Sequence, residues 1–192
     1  MRKFFALSAL VCAVSPAFAL VTIATHDDPS GVSSNPVFSV TNALVSGSWT
    51  QPGLTLSIPA NGLVFNNVFM SANIVRTGAS SLGPGSVTYY TTDINNPIFK
   101  ITLDSGFIAE PFLVSGSYLV ASNVQFSGTG LAGLTPITET QFSFSFANPV
   151  STQNGNTYTA SMTSSGNPVP EPATMTLLGL GVAAYAARRR RS

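Results

Sequence analysis

Apolar and polar residues alternate along most of this chain, and that two-residue period limits the fold more than any other feature. In the clearest run, Phe142, Phe144 and Phe146 are separated by Ser143 and Ser145. Successive side chains of a strand point to opposite faces, so this run has one apolar face and one hydroxyl face. The period recurs at Leu54–Ile58, Val68–Ile74, Val87–Tyr89, Phe99–Leu103, Tyr118–Val120, Val124–Phe126 and Tyr158–Met162.

Turn-forming residues separate these runs at short intervals. Glycine, proline and asparagine cluster between them, and Asn154-Gly155, flanked by two alternating runs, is a strong hairpin signal. Roughly seven to ten short strands, each with one apolar face, predict either two packed sheets or a closed barrel. Because the turns are short and the length suits one domain, we predict an all-β fold over residues 20–166. The expected architecture is a single antiparallel β-sandwich of jelly-roll or immunoglobulin-like topology.

The formal net charge of +1 hides an acidic central region. Residues 20–166 hold only two basic residues, Arg76 and Lys100, against six acidic ones, a formal charge of −4. Nucleic acid and anionic lipid both require clustered cations, so neither is an expected partner of this region. The lone cysteine, Cys12, lies near the N-terminus, and residues 20–166 therefore contain no thiolate and no disulfide.

The first 19 residues have the three parts of a secretory signal peptide. Arg2 and Lys3 precede an apolar stretch at Phe4–Val14, and Ala17 and Ala19 form a small-x-small cleavage site. The apolar stretch is 11 residues long, which is too short to span a bilayer. We predict that signal peptidase cleaves after residue 19.

At the other end, prolines, an apolar run and an arginine cluster follow one another. The residues are Pro170, Glu171 and Pro172, then Ala173–Ala187, then Arg188, Arg189, Arg190 and Arg191. We predict a transmembrane helix over 173–187; at ~1.5 Å per residue it spans about 22 Å, less than a ~30 Å hydrocarbon core, so it is a weak anchor. Arginines stay on the cytoplasmic side and stop transfer, so residues 188–192 are predicted to form a basic cytoplasmic tail.

This combination resembles the PEP-CTERM sorting signal of Gram-negative bacteria, and the resemblance covers residues 169–191 only. It implies processing by an exosortase, a membrane protease that removes the helix. It also implies export through the inner membrane, transient anchoring there by the C-terminal helix, and a final place at the cell surface or in an exopolysaccharide-rich biofilm matrix. Residues 167–172 would then serve as a linker and sorting motif.

Two motifs suggest cofactor binding or catalysis, but their surroundings do not support it. Residues 128–133 match the G-x-G-x-x-G spacing of dinucleotide-binding loops, yet no helix pattern follows, and a flexible glycine-rich loop is the better interpretation. His26 is the sole histidine. A Ser-His-Asp triad needs a positioned histidine and zinc needs three or four ligands, whereas we expect His26 in a frayed, solvated N-terminal segment. We predict no cofactor and no metal site.

Acidic and aromatic residues supply the remaining alternatives. Asp93, Asp104, Glu110 and Glu139 are scattered, which gives only weak support to a carboxylate-dependent hydrolase. Residues 93–96 offer oxygens for Ca²⁺, although an Asx turn is the commoner outcome before a proline. A sugar-stacking platform would use four aromatic residues, although a lone tryptophan more often fills the core. These residues are Trp49, Tyr89, Tyr90 and Tyr118.

The sequence therefore predicts an exported, non-catalytic structural or adhesive protein of the extracellular matrix, with exopolysaccharide as a candidate partner. The alternative is a carbohydrate-binding module, which requires exposed aromatic residues in a groove or on one sheet face. A hydrolase is the least favoured class, because it requires two carboxyl groups held in one cleft.

Overall fold

The computed structural model describes residues 20–110, 116–134 and 136–169, and within these ranges the chain forms thirteen antiparallel strands. They are β1 (Val21–His26), β2 (Phe38–Thr41), β3 (Leu44–Trp49), β4 (Leu56–Ile58), β5 (Leu63–Phe65), β6 (Phe69–Arg76), β7 (Ser81–Tyr90), β8 (Phe99–Leu103), β9 (Gly106–Ala109), β10 (Ser117–Ser122), β11 (Gln125–Ser127), β12 (Ile137–Thr152) and β13 (Gly155–Pro168). Two short 3₁₀ turns occupy Pro59–Asn61 and Thr129–Leu131. The prediction of an all-β antiparallel fold is confirmed.

Eight of the strands close into a barrel. Around the ring the order is β12, β10, β9, β7, β6, β3, β2 and β13, and β13 pairs back with β12. The other five strands form two branches from this ring. One branch runs from β13 through β1 and β4 to β5, and the other runs from β7 through β8 to β11.

The predicted β-sandwich is therefore wrong. A sandwich consists of two separate sheets with free edges, whereas here the pairing of β12 with both β10 and β13 closes the ring. Strand length makes this closure possible, because β12 and β13 have 16 and 14 residues. β13 pairs with β2 near its start and with β1 near its end. Register shifts beside Glu139 and Asn148, which have φ angles of 52° and 51°, mark bulges that bend β12.

The predicted helices lie outside the described residues, both the signal peptide at 1–19 and the transmembrane helix at 173–187. In the part of the chain that the structure describes, no helix is long and apolar enough to cross a membrane.

The alternating phenylalanines of β12 form the centre of the core, as predicted. Phe142, Phe144 and Phe146 are buried, whereas Ser145 on the opposite face is exposed. The Phe144 ring lies 4.6 Å from that of Phe38 in β2, across the barrel interior. Aromatic pairs at this separation add to the free energy gained by burial.

In β10 the predicted apolar face is the wrong one. Tyr118 and Val120 are 42% and 37% exposed, and the buried side chains are those of Leu119 and Ala121. Four consecutive apolar residues give no alternation from which to choose a face. Pairing with β12, in which Leu119 lies opposite Phe144, decides it.

The predicted hairpin joins β12 to β13, although its two loop residues are Gln153 and Asn154, with Gly155 opening the next strand. Gly155 has a φ angle of 151°, and a Cβ atom there would lie 2.0 Å from the Val40 carbonyl oxygen. Only glycine adopts such a conformation without strain, so this residue sets the close approach of β13 to β2.

Replacement of Gly155 by alanine is expected to lower the free energy of unfolding by at least about 1–3 kcal/mol, the usual cost of a strained backbone conformation. Urea denaturation of the exported protein measures this change. Gly78→Ala is the matched control, because a Cβ atom at Gly78 meets nothing nearer than 3.6 Å. Equal effects of the two substitutions would contradict the strain argument.

The folded domain ends directly beside the predicted sorting motif. Residues 167 and 168, predicted as linker, continue β13 and pair with Thr138 and Ile137 of β12. The Val169 amide then donates a hydrogen bond to the Pro136 carbonyl at 3.0 Å. Consequently no free linker separates the last strand from residue 169.

Candidate functional site

A continuous row of paired residues crosses the outside of the sheet at right angles to the strands. It passes through β9, β10, β12, β13, β1, β4 and β5. Each member is the direct cross-strand partner of the next, in the order Phe107, Val120, Ser143, Thr163, Thr25, Ser57 and Val64. The row is apolar at both ends and carries hydroxyl groups at its four central positions.

Neighbouring outward positions extend this row into a surface that we call the hydroxyl face. Its members share an uncharged hydroxyl or amide side chain and a partly or fully exposed position. They are Thr25, Ser57, Ser122, Gln141, Ser143, Ser145, Ser161, Thr163 and Ser165. The surface follows from the period-two pattern of the sequence, because the inward positions of the same strands are taken by large apolar residues.

Two shallow depressions lie on the hydroxyl face. The first has a volume of about 240 Å³ and lies over β10, β12 and β13, where Val120, Gln141 and Thr163 contribute to its lining. The second has a similar volume of about 240 Å³ and lies where Thr25 and Ser57 meet the segment after β1. Because Thr163 and Thr25 are cross-strand partners, the two depressions are joined along one surface.

An exposed aromatic pair borders the hydroxyl face at its β9–β10 end. The rings of Phe107 and Tyr118 have centroids 6.1 Å apart, and the side chains are 44% and 42% exposed. Val120 lies beside them and is 37% exposed. Together they form an apolar patch next to the polar surface, an arrangement that often marks an interaction site.

Only Tyr118 of the predicted sugar platform is placed to take part in such a surface. Trp49 and Tyr89 are buried in the core, with exposures of 7% and 0%. Tyr90 packs edge-on against Phe69 on β6. The structure therefore does not bring the four aromatic residues together, and sequence reasoning missed Phe107, whose exposure depends on the pairing of β9.

His26 lies in the barrel interior, so the prediction of a solvated N-terminal segment is wrong. β1 pairs with β13 and β4, which buries the imidazole to 2% exposure. Its Nδ1 atom is hydrogen-bonded to the Tyr89 hydroxyl at 2.6 Å, and its Nε2 atom has no partner among the described residues. Burial lowers the pKa of His26 to about 4, against the opposing effects of the Asp28 carboxylate and of a backbone hydrogen bond at Ala160.

The Tyr89 hydroxyl is equally sealed, and burial raises its pKa well above its ordinary value. Both partners of this pair are therefore neutral near pH 7. The segment after β1 is held by Asp28, whose carboxylate accepts hydrogen bonds from the Ser30 amide and hydroxyl at 2.9 and 2.7 Å. These contacts hold the segment after His26, and the pairing of β1 with β13 holds the residues before it.

Two of the four scattered acidic residues, Glu110 and Asp93, have structural partners, whereas Glu139 is exposed at a bulge of β12. Arg76 and Glu110 form an ion pair at 2.9 Å with side chains 8% and 20% exposed, and Arg76 also donates to the Thr41 carbonyl. The Tyr158 hydroxyl donates to Glu110 at 3.4 Å. Asp93 accepts hydrogen bonds from the Asn95 amide and side chain, which is the Asx turn weighed against calcium.

The glycine-rich segment 128–133 packs closely against the barrel and contains a single 3₁₀ turn. Gly128 has a φ angle of 128°, and a Cβ atom there would lie 2.3 Å from the Ile98 carbonyl oxygen. Asn61 donates to the Gly130 carbonyl at 2.8 Å, which joins the two 3₁₀ turns. The glycines thus serve close packing, and no helix follows them to bind a pyrophosphate.

Beyond Val169 the sequence enters the proline, apolar and arginine segment. A family model described as the PEP-CTERM protein-sorting motif matches residues 168–191. The chain carries a PEP-CTERM sorting signal. No match to the chain was found among curated proteins or among solved structures.

The PEP-CTERM signal establishes how the cell handles the protein. It marks the chain as a substrate for exosortase that is exported toward the cell surface or the extracellular space. Of the matched residues only Pro168 and Val169 are described. The sorting residues 170–172 and the arginines 188–191 lie outside the described residues, as does the predicted signal peptidase site at residues 17–19.

Proposed function

We propose that this protein is a non-catalytic structural or adhesive component of the extracellular matrix, released to the cell surface after its C-terminal segment has been processed. The observation that carries the proposal is the hydroxyl face, a broad uncharged surface presented by the barrel strands β10, β12 and β13 and the branch strands β1 and β4. A barrel of paired strands holds the side chains of such a surface in fixed positions, which suits contact with an extended partner.

The placement of the titratable groups supports a binding role over an enzymatic one. General acid–base catalysis requires a side chain within hydrogen-bond reach of the substrate. Tyr89 is 0% exposed, His26 borders the second depression with only 2% of its surface exposed, and Glu110 is paired with Arg76. The imidazole thus presents almost no surface to a substrate, and its Nδ1 atom is already hydrogen-bonded to the Tyr89 hydroxyl.

A carbohydrate-binding function is the second candidate, and the exposed Phe107–Tyr118 pair favours it. Aromatic rings supply rigid apolar contact area, and the adjacent hydroxyl groups supply hydrogen bonds. Binding to a carbohydrate would hold a matrix component in place, so the two proposals are compatible.

Replacement of Pro170, Glu171 and Pro172 by alanine is expected to leave the full-length chain in the membrane fraction of the native host. The wild-type protein should reach the surface or matrix fraction without its arginine cluster, because exosortase processing removes it. Cell fractionation with mass spectrometry of the C-terminal peptide measures both outcomes. Alanine at Thr152, Gln153 and Asn154, exposed residues of the β12–β13 hairpin that lie outside the matched motif and the hydroxyl face, is the control and should leave processing intact.

The matrix role is tested in the same strains by the biomass that a surface-grown culture retains under shear. A deletion strain should lose cohesion, and only the correctly processed chain should restore it. Surface material that still ends in Arg191-Ser192 would contradict processing. Equal cohesion with and without the protein would contradict the matrix role.

A further inference from the structure

The row through the hydroxyl face is long enough to contact several units of an extended polymer. It crosses seven neighbouring strands, and six inter-strand spacings of ~4.8 Å give a length of about 29 Å. Its members belong to strands as distant in sequence as β1 and β13, yet they face one side of the sheet in register. Because β9, β10, β12 and β13 belong to the barrel, this length follows a curved surface, and a flexible linear ligand that follows the curvature contacts successive members of the row.

The chemistry of the row is that of a partner rich in hydroxyl groups. Serine and threonine hydroxyls both donate and accept hydrogen bonds, and the Gln141 amide provides both kinds of group. Thr163 and Gln141 are exposed along the first depression, where a ligand hydroxyl reaches them. By contrast the inward Ser164 uses its hydroxyl internally, on the backbone of Ala24.

Other classes of polymer fit this surface poorly. Nucleic acids and anionic polymers require clustered cations, and every side chain of the hydroxyl face is uncharged. Protein interfaces are depleted in serine, which dominates here. Asp27 and Asp28 lie at the second depression and repel an anionic chain.

The aromatic pair at one end supplies the apolar contact that a sugar ring accepts on its carbon–hydrogen face. Phe107 is the first member of the row, and Tyr118 lies two residues before Val120, on the same face of β10. With centroids 6.1 Å apart and an interplanar angle of 40°, the two rings are tilted relative to each other and do not form one flat surface. A chain that enters there continues over the hydroxyl groups of Ser143 and Thr163.

We infer that the hydroxyl face is a binding site for a neutral polysaccharide, whose chain crosses the strands from the Phe107–Tyr118 pair along Ser143, Thr163 and Thr25. This inference rests on the proposed matrix function and gives it a ligand class and a site. It assigns the sugar contacts to Phe107 and Tyr118, with Trp49 and Tyr89 remaining core residues.

Affinity electrophoresis of the exported protein tests the site, in native gels that contain hydroxyethyl cellulose, galactomannan, dextran or the anionic polymer alginate. We expect retardation by at least one of the three neutral polymers and no retardation by alginate. Phe107→Ala combined with Tyr118→Ala should weaken the apparent affinity at least tenfold. Thr163→Val combined with Ser143→Ala, which removes hydroxyl groups at nearly constant shape, should weaken it severalfold.

Matched controls lie elsewhere on the barrel. Tyr90→Ala removes one ring of the Phe69–Tyr90 pair, and Thr102→Val removes a partly exposed hydroxyl of β8. Both should retain wild-type affinity, and thermal melts confirm that each variant is folded. If the aromatic double variant is unstable, the apparent affinity of the combined Thr163→Val and Ser143→Ala variant tests the site in its place.

Failure of all three neutral polymers to retard the protein would overturn the inference, as would equal retardation by alginate. Unchanged affinity in the hydroxyl-face variants would also overturn it. If the polymers fail while the processed chain still restores matrix cohesion, the proposed function stands and only the polysaccharide site falls.

Discussion

Replacement of Phe144 by alanine is expected to lower the free energy of unfolding by about 3–5 kcal/mol, because it removes the side chain at the centre of the core. Phe144 is 0% exposed. Its ring packs against those of Phe38, Phe142 and His26, at centroid separations of 4.6, 5.7 and 5.9 Å. A barrel interior closed on all sides collapses poorly around such a cavity, which places the expected loss at the upper part of the range.

Urea denaturation of the exported protein, followed by the fluorescence of Trp49, measures this loss. Ser145→Ala provides the control one residue along the same strand, on the exposed side. It should change the free energy of unfolding by no more than about 0.5 kcal/mol, as is usual for surface positions. Similar small effects at both positions would show that β12 does not have one buried face.

Acidification from pH 7 to pH 4 is expected to remove about 3 kcal/mol of stability through His26 alone, from a pKa shift of about two and a half units at ~1.4 kcal/mol each. The folded-state pKa of about 4 lies below the ordinary value of 6.5. Between these values the unfolded chain binds more protons than the folded one. Stability from this group is therefore complete above about pH 6.5 and declines as the pH falls toward 4.

The cause is the sealed position of the imidazole. A protonated His26 would carry its charge in the core, where the cost of burying that charge exceeds the favourable effects of the Asp28 carboxylate and the Ala160 backbone. Urea denaturation at pH 7 and at pH 4.5 should show a steeper loss for the wild type than for His26→Gln, which does not titrate. Because carboxylates titrate in both proteins, the difference between the two slopes isolates His26. Equal slopes would contradict the buried, neutral assignment.

Local patterns in the sequence were enough to predict the class of fold and the sorting of the chain. Period-two alternation is a local property of the strand, so the buried face of Phe142–Phe146 followed directly from it. The Asn154-Gly155 pair located the hairpin to within one residue of its loop, Gln153-Asn154. The sorting motif was equally readable, because a membrane-directed signal is recognised from adjacent residues without a folded context. The match to the PEP-CTERM motif at residues 168–191 agrees with that interpretation.

Tertiary pairing was needed wherever a local pattern fits two outcomes equally well. In Tyr118-Leu119-Val120-Ala121 both faces are apolar, and pairing with β12 selected which face is buried. His26 carries no local signal of burial, and it was placed in the core because β1 lies between β13 and β4.

Closure of the barrel and the row from Phe107 to Val64 also depend on which strands pair, which local sequence does not specify. Every antiparallel strand pair uses the same backbone hydrogen bonds, so the sequence of one strand does not specify which strand it pairs with. Partners such as Thr25 and Thr163 are distant along the chain and meet only once the register is fixed. Long strands bent by bulges at Glu139 and Asn148 pair with several neighbours, which favours a ring over two sheets.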